Sequence, residues 1–584
     1  MLTINKINFV NFKQNFQPQI FQTTNEISVK VYDEDLNRQY LQNLALINVP
    51  KVKKVVQKPQ ENIDYKNNLR TMVQNNESVM LAIAPRTFTA EDLNNDDKIT
   101  LSKGEKNGTF LSAISRLDEL KEDGINTIHI LPIHPTGKKN AMGTAGSLYS
   151  PAKYVTETGD LAIDPMIIDK NDPRTPNEQF KAFIDECHKR NIKVMLDLPS
   201  CASVDMFEAE PELMAFGRNG EDKTPQGWED IRMFEPWADE SKRTLNPKLL
   251  EMHKQYVDAC IELGIDGIRA DVARAKPPEF WNILIPYSRE KDPEFAWLAE
   301  SYTYECASPM VNMPYDRPED LLRAGFDEYY GQYHIFHEWK NATEFSDYIK
   351  LNLDMSHRLP AGKSVIGSFL THDDTSSMLH GGENFCKLTT ILQSTIPMCN
   401  PYFVDGFQSG DYYDYKYIGT ENEETFTEKT YMDGHHNRLA IFNLARKPGG
   451  NAPDIERVMR ETLKMRRENA DILTNRNSSY IELDKRNDKR DQIIAFARHN
   501  NGRTILVVAN KNPNKNTTGI IEIPGLKADQ ELKNLAPDYG QTSEFQVSEG
   551  ELRVNLAGAD AYVFEIDTPN IENDRKDFAY KQKA

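Results

Sequence analysis

The sequence predicts a closed parallel (β/α)8 barrel, a TIM barrel, followed by an all-β domain. Short apolar runs that suit buried strands alternate with segments whose apolar residues recur at helical spacing. About eight such units occupy roughly four hundred residues, and repeated strand–helix units imply a parallel sheet with helices outside it. An open doubly wound sheet is the alternative, but it would normally carry a glycine-rich phosphate turn after an early strand, and none is present.

Seven stretches predict individual barrel strands, because each is a short apolar run bounded by turn residues. They lie at residues 79–84, 127–132, 192–197, 266–271, 295–300, 365–370 and from 396 onward. Two helices between them have clear end signals. One has apolar residues at helical spacing over 110–120 and closes at Gly124, and the other starts at Asn246 and Pro247 and runs to Gly264.

Changes in composition divide the chain into four regions. Residues 1–77 are rich in Asn, Gln and Lys and predict a partly ordered extension. The barrel is predicted at 78–475. A small β-sandwich follows at 476–567, where strand-like runs are separated by turn-rich stretches, and residues 568–584 form a polar tail.

Composition excludes some classes of protein. The chain has 584 residues and a net charge of −19, and it has no basic stripe, which argues against nucleic-acid binding. No apolar run is long enough to span a bilayer, and residues 1–21 do not resemble a secretory signal. The six cysteines are scattered, as expected for free thiols in a reducing cytoplasm. We therefore predict a cytoplasmic protein with no membrane partner, and the oligomeric state stays open.

Acidic residues follow four of the predicted strands, namely Asp197, Asp271, Glu300 and the His-Asp-Asp run at 372–374. The C-terminal strand ends of a barrel face one pocket, so we expect these acids to converge. Arg269 lies two residues before Asp271, so the two side chains share a face, and the guanidinium should lower the pKa of Asp271. Carboxylates in one cleft suit glycosidic bond cleavage, with one as nucleophile and one as proton donor. Divalent-metal chemistry is the alternative.

With these acids placed, the chain resembles the α-amylase superfamily, glycoside hydrolase family 13, from about residue 78 to 567. Arg269-Ala270-Asp271 matches the strand-four Arg-x-Asp of that family, which implies that Asp271 is the nucleophile. Glu300 matches its strand-five general acid/base. His372-Asp373 matches its strand-seven pair, whose Asp grips sugar hydroxyls, and a one-residue shift would give that role to Asp374.

Further residues resemble the substrate contacts of the family. Tyr149 matches a tyrosine that stacks on the sugar at the cleavage site, and Asp197 matches the strand-three Asp. Arg269 and His372 belong to the same implied substrate-binding set. Residues 200–245 would be a short version of the excursion domain that follows strand three.

Part of the sequence is closer to one branch of the family. After the strand-three Asp, the family usually carries an Asn that binds a structural calcium and a His that contacts substrate, but this chain has Cys201 and Ala202 near those places. Lys276-Pro277 and Phe280-Trp281 resemble bacterial maltosyltransferases, including those that extend glucan from maltose 1-phosphate. This resemblance adds Lys276 to the predicted substrate-binding residues. The His372-Asp373 pair is closer to ordinary amylases and other transglycosylases, so the subfamily stays open.

The resemblance implies a retaining enzyme that cleaves or transfers α-1,4-glucosidic bonds in an α-glucan or maltooligosaccharide through a covalent glycosyl-aspartate. An α-1,4-glucan maltosyltransferase, with maltose 1-phosphate as a candidate donor, is one alternative. A non-catalytic glycan-binding protein of the same fold is another. Hydrolysis and transfer differ in whether water or a sugar reaches the intermediate, and the sequence leaves that choice open.

One loop predicts a cation site outside this set. Asp92, Asn94 and Asp96 supply the alternating oxygens of the first half of a calcium loop, in a segment that runs to Thr100. The usual Gly at the sixth position is Asp97, and the twelfth position is Lys103. Calcium is therefore a candidate ligand, whereas the predicted chemistry itself requires no cofactor.

Overall fold

The computed structural model describes residues 65–94, 99, 101–140, 147–217, 219–224, 230–302, 317–374, 376–411, 452–540 and 542–572. All described residues belong to one compact unit of the chain.

The described strands are β1 (Met80–Ile83), β2 (Thr127–Ile130), β3 (Lys193–Leu198), β4 (Cys201–Ser203), β5 (Ile231–Met233), β6 (Gly267–Ala270), β7 (Ala296–Ala299), β8 (Glu328–Tyr329), β9 (Ser364–Gly367), β10 (Cys399–Val404), β11 (Ser479–Glu482), β12 (Lys485–Arg486), β13 (Ile493–Asn500), β14 (Arg503–Asn510), β15 (Thr517–Glu522), β16 (Lys533–Asn534), β17 (Glu544–Ser548), β18 (Glu551–Leu556) and β19 (Ala561–Ile566).

The described α-helices are Leu69–Gln74, Pro85–Phe88, Phe110–Ala113, Leu117–Asp123, Pro176–Lys189, Val204–Ala209, Pro247–Leu263, Pro278–Lys291, Pro318–Ala324, Ala342–His357, Gly382–Thr395, Pro453–Glu468 and Ala470–Leu473. None of these helices has the combination of length and apolarity that crossing a bilayer requires.

Eight strands form the predicted closed barrel. The hydrogen-bonded order around it is β1, β2, β3, β6, β7, β8, β9 and β10, and every neighbouring pair is parallel. Nearly every strand residue is buried, as expected for a sheet covered by helices on its outer face. The barrel fold predicted from the sequence is thus confirmed.

The sequence analysis did not identify β8. This strand has only two residues, and its Glu328 follows another acid, Asp327, so no apolar run marks it. Pairing with β7 and β9 nevertheless places Glu328 in the barrel wall, where it is fully buried.

Two helix ends follow the predicted signals. Gly124 and Gly264 both adopt φ of 91°, the left-handed conformation that glycine accepts most easily at a helix C-terminus. The Asn246 side chain accepts hydrogen bonds from the Lys248 and Leu249 amides, at 3.1 and 3.3 Å, and thereby caps the helix that carries the chain back to β6.

Two smaller β units accompany the barrel. Strands β4 and β5 pair antiparallel in the segment that follows β3, and they share a small apolar core. The C-terminal domain has two antiparallel sheets, one of β11, β13, β14, β19 and β16 and one of β12, β15, β18 and β17. A buried aliphatic core is shared between the two sheets, which makes this domain a β-sandwich.

Candidate active site

Adjacent strand ends bring the predicted acids to one rim of the barrel. Asp197 on β3 is the register partner of Arg269 on β6. Asp271 directly follows β6, and Glu300 directly follows β7. Because β3, β6 and β7 are consecutive and parallel, these side chains emerge at the same C-terminal edge.

Arg269 is the common partner of three carboxylates. Its Nη1 donates to Asp197 Oδ1 and Oδ2, at 2.9 and 3.0 Å, and to Asp271 Oδ1 at 2.9 Å. Its Nη2 lies 2.9 Å from Glu300 Oε2. The guanidinium is fully buried, and its Nε donates to the Tyr330 hydroxyl at 3.1 Å. A fixed positive charge therefore occupies the centre of the acid cluster.

Asp271 is held on its second oxygen by the loop after β3. The Ser200 amide donates to Asp271 Oδ2 at 3.1 Å, and the Ser200 hydroxyl donates to the main-chain carbonyl of Asp271. Burial raises the pKa of Asp271 above its ordinary value, and although Arg269 lowers this pKa as predicted, the charges of Glu300 and Asp197 raise it further. The sequence predicted the effect of Arg269 but not that of burial, which is larger than the effect of one arginine shared by three acids.

Glu300 is fixed by two donors besides its contact with Arg269. The Val272 amide donates to Glu300 Oε2 at 2.7 Å, and the Tyr302 hydroxyl donates to Glu300 Oε1 at 3.3 Å. Val272 has φ of 34° and ψ of 61°, a left-handed conformation that is costly for a β-branched residue. This strained turn is what points the amide of Val272 at the carboxylate of Glu300.

Asp197 lies deepest in the cluster and is fully buried. Burial alone would raise its pKa, but Arg269 and His129 outweigh that effect and hold the pKa of Asp197 below its ordinary value. His129 Nε2 lies 3.3 Å from Asp197 Oδ2, and the Tyr149 hydroxyl donates to the same oxygen at 2.9 Å. Asp197 is therefore an ionised partner for Arg269.

Tyr149 and His372 form one side of the site. Their rings stack with centroids 5.7 Å apart, and the Tyr149 hydroxyl lies 2.7 Å from His372 Nε2. Burial, followed by the charge of Arg269, lowers the pKa of His372 to about 3, so this imidazole is neutral at physiological pH. The pair offers a flat aromatic surface with polar edges, which suits contact with a sugar ring.

The two adjacent acids at the strand-seven position have different surroundings. Asp374 Oδ2 accepts hydrogen bonds from the Thr371 amide and hydroxyl, at 2.8 and 2.7 Å. The Asp374 carboxylate therefore stabilises the loop to which it belongs. Asp373 Oδ2 lies 3.6 Å from His372 Nε2, and its side chain is 33% exposed. Asp373 is therefore a half-buried acid whose carboxylate lies beside His372 at the rim.

Lys276 lies beneath the rim and does not reach solvent. Its side chain is 1% exposed, and its Nζ donates to the Ser200 carbonyl at 3.3 Å. The structure thus brings together all eight residues predicted for catalysis and substrate binding except Lys276, which lies behind the surface that the other seven share. Those seven are Asp271, Glu300, Asp373, Arg269, His372, Tyr149 and Asp197.

The predicted calcium loop lies only partly within the described residues. Asp92 and Asn94 are described, whereas Asp96 lies outside the described residues. Within the described part of the chain, no group of three His, Cys, Asp or Glu side chains has an arrangement that could hold a metal ion. Calcium binding at this loop stays a prediction.

Sequence reasoning missed several residues that shape the site. They are His129, Ser200, Val272 and Tyr330. The signal for His129 was available, because it is a polar residue in the middle of an otherwise apolar strand. The roles of Ser200 and Val272 depend on main-chain amides, whose direction no residue type reports.

The C-terminal β-sandwich matches a known family. Residues 484–567 match the family described as Alpha amylase, C-terminal all-beta domain. The match begins one residue before β12 and finishes one residue after β19.

Curated relatives extend the similarity into the barrel. The Alpha-1,4-glucan:maltose-1-phosphate maltosyltransferase of Corynebacterium glutamicum is 25% identical over 426 residues, which cover 70% of this chain and 56% of the relative. The protein of the same name from Mycolicibacterium smegmatis is 24% identical over 420 residues, which cover 70% and 54%. The chain therefore spans about half the length of these curated relatives.

Solved structures share the fold. A noncanonic maltogenic alpha-amylase from Thermotoga neapolitana superimposes with a TM-score of 0.59 at 21% identity, over 85% of this chain and 100% of that one. An alpha-amylase from Geobacillus thermoleovorans, complexed with acarbose, gives a TM-score of 0.58 at 16% identity, over 85% and 99%. At these identities the likeness establishes the architecture alone.

Proposed function

We infer that this chain, which belongs to the α-amylase superfamily, is a retaining enzyme that cleaves or transfers α-1,4-glucosidic bonds. The observation that carries this proposal is the contact of Asp271 and Glu300 with one buried guanidinium, Arg269, at the C-terminal rim of the barrel. A pair of carboxyl groups held side by side is the equipment of a retaining glycosidase.

The charges of the cluster suit that chemistry. Arg269 balances the ionised Asp197, which leaves Asp271 and Glu300 to repel each other if both are ionised. Burial and the neighbouring carboxylates raise the pKa of Asp271 above its ordinary value, so the two acids do not readily carry two negative charges together. One carboxyl can then act as an acid while the other acts as a nucleophile.

The steps follow from this arrangement. Glu300 gives its proton to the glycosidic oxygen, the bond from that oxygen to the anomeric carbon breaks, and Asp271 forms a new bond to that carbon. Glu300 then removes a proton from water or from a sugar hydroxyl, which attacks the anomeric carbon and releases Asp271 with net retention. Asp373, half-buried beside His372, is proposed to hold sugar hydroxyls during both steps.

Transfer from a maltosyl donor is the finer proposal. It is supported by the relatives from C. glutamicum and M. smegmatis, both of which are named Alpha-1,4-glucan:maltose-1-phosphate maltosyltransferase. The resemblance of Lys276-Pro277 and Phe280-Trp281 to bacterial maltosyltransferases also favours transfer. Hydrolysis of maltooligosaccharides is the competing outcome at the same site.

Product analysis tests these proposals together. The protein would be incubated with maltoheptaose alone, with maltose 1-phosphate, and with inorganic phosphate, and the products separated by chromatography. Chains lengthened by two glucose units from maltose 1-phosphate support the maltosyltransferase, and only shorter products support a hydrolase. Binding of maltoheptaose without any product would contradict both and favour a glycan-binding protein.

A further inference from the structure

Lys276 is a buried cation, and among the described residues its ammonium group has one hydrogen-bond partner. Its Nζ donates to the Ser200 carbonyl, and the rings of Phe234, Trp281 and Phe280 lie 5.4, 5.9 and 6.0 Å from the same nitrogen. Burying an ammonium group is costly unless its charge and its N–H groups are compensated. A lysine kept in such a place calls for a reason beyond packing.

Ser200 connects this lysine to both proposed catalytic carboxyl groups. The Ser200 amide donates to Asp271 Oδ2, and its hydroxyl contacts the carbonyls of Asp271 and Val272, the latter at 3.3 Å. Val272 in turn donates its amide to Glu300 Oε2. One residue, Ser200, thus fixes the loop after β3 against the turn after β6, and Lys276 holds the carbonyl of that residue.

We propose that Lys276 is a positioning residue, which fixes Ser200 so that the amide of Ser200 holds Asp271 in the orientation for attack. This inference rests on the proposed function of Asp271 as nucleophile. It differs from the substrate-binding role predicted from the sequence, because the 1% exposure of Lys276 leaves no surface for a ligand.

The charges around Lys276 agree with this role. Asp271 and Cys201 both lie close enough to raise the pKa of Lys276, and His253 faces it from the helix Pro247–Leu263. Burial lowers the pKa of Lys276 to about 8, so the side chain is charged at neutral pH. Burial also holds the pKa of His253 far below its ordinary value, so that imidazole adds no competing charge. The Lys276 ammonium therefore supports the ionised form of Asp271.

A matched pair of variants tests the proposal. Lys276→Met keeps the length of the side chain and removes its charge and hydrogen bonds. Lys363→Met is the control, because Lys363 is also buried, also donates to a carbonyl, that of Phe326, and also has its pKa lowered to about 8 by burial. Lys363 precedes β9, at the opposite end of the barrel from the site.

We expect Lys276→Met to lower kcat by about 10- to 100-fold with little change in KM, because a misplaced nucleophile slows chemistry and not binding. The acid limb of the kcat/KM profile should move up by about one pH unit, since a cation near Asp271 has been removed. Lys276→Arg, which keeps the charge, should retain the position of that limb. Lys363→Met should leave kcat, KM and the limb unchanged.

Three results would overturn the proposal. These are a rise in KM without loss of kcat in Lys276→Met, an unmoved acid limb, and equal losses of activity in both lysine variants. If Lys276→Met does not fold, Lys276→Gln carries the same comparison.

A titration separates this proposal from the proposed function. Proton uptake is measured by potentiometry in wild type and Lys276→Met, each against its own Asp271→Asn partner, with no substrate present. The difference curve reports the proton bound at Asp271, and its midpoint should rise in Lys276→Met. Absence of any α-glucan activity would contradict the enzyme while leaving this midpoint to decide the role of Lys276.

Discussion

At the scale of single residues, the site depends on how one cation is divided among several acids. A guanidinium nitrogen of Arg269 lies 2.9 Å from a carboxylate oxygen of each of Asp197, Asp271 and Glu300, which is hydrogen-bond distance. Charge-assisted contacts of this kind are strong in a buried site. Because one positive charge cannot neutralise three negative ones, the cluster favours keeping a proton, and that proton is what an acid/base pair needs.

Asp271→Asn should abolish turnover while the fold persists, because the amide cannot form the glycosyl ester. We expect kcat on maltooligosaccharides to fall more than about a thousandfold with an unchanged melting temperature. Asp258→Asn is the control, since Asp258 contacts Tyr287 and Lys291 on the outer helices. Activity that survives in Asp271→Asn would mean that another residue is the nucleophile.

Asp373 and Asp374 should differ sharply when each is changed to Asn. Asp373→Asn is expected to lower kcat by about a hundredfold or more, because its carboxylate, beside His372 at the rim, is proposed to hold sugar hydroxyls in the transition state. Asp374→Asn should lower activity only by weakening the hydrogen bonds that hold its own loop, since the Asp374 carboxylate accepts from the amide and hydroxyl of Thr371. Steady-state kinetics of the two variants decide the register, and a larger loss in Asp374→Asn would reverse the assignment.

At the scale of single elements, β8 has the least typical sequence for its position. A two-residue strand with a buried acid is stabilised by its neighbours in the barrel, and Glu328 Oε2 accepts a hydrogen bond from Asn400 Nδ2 at 3.0 Å. Burial raises the pKa of Glu328 to about 8. The folded protein therefore binds a proton at Glu328 that the unfolded chain has already released at neutral pH.

Glu328→Gln should remove a pH dependence of stability. The folded pKa of Glu328 lies above its ordinary value of 4.5, so this residue supports folding below about pH 4.5, and its contribution falls as the pH rises through about 8. Chemical denaturation from pH 5 to 9 should therefore show wild type losing stability relative to Glu328→Gln. Glu468→Gln, at an exposed helix end, is the control and should follow wild type. Parallel curves for wild type and Glu328→Gln would contradict the protonated state.

At the scale of the whole molecule, the segment before β1 closes the floor of the barrel. The Val73 carbonyl, in the helix Leu69–Gln74, accepts hydrogen bonds from Ser364 Oγ and Asn400 Nδ2, at 3.0 and 3.1 Å. Tyr65 donates to Asp266, whose other oxygen accepts from the Val194 amide. Polar groups at the N-terminal strand ends are thereby satisfied by a segment that is remote in sequence, as buried polar groups require.

Tyr65→Phe should destabilise the protein without changing its activity. Loss of a hydrogen bond to a buried carboxylate is expected to cost about 1–3 kcal/mol of unfolding free energy. Tyr287→Phe is the control, because its hydroxyl contacts Asp258 near the surface and should cost less. Denaturant unfolding measures both, and an equal or smaller loss in Tyr65→Phe would show that the floor contact contributes little.

The sequence by itself determined the barrel, because strands buried on both faces must be short apolar runs, and parallel strands must be separated by helices. It also determined which acids meet, since the C-terminal ends of parallel strands share one rim and Asp197, Asp271 and Glu300 each end such a strand. The C-terminal β-sandwich was predictable for the same reason, from runs at β13, β14 and β19 separated by turns.

Only the tertiary structure decided how those acids are held. β8 escaped prediction because two residues carry no periodicity, and its burial comes entirely from β7 and β9. The direction of the Val272 amide and the burial of Lys276 follow from backbone geometry and from contacts across the fold. The pKa of Asp271 likewise depends on burial and on its distances from the carboxylates of Glu300 and Asp197. The order of residues along the chain does not contain those distances.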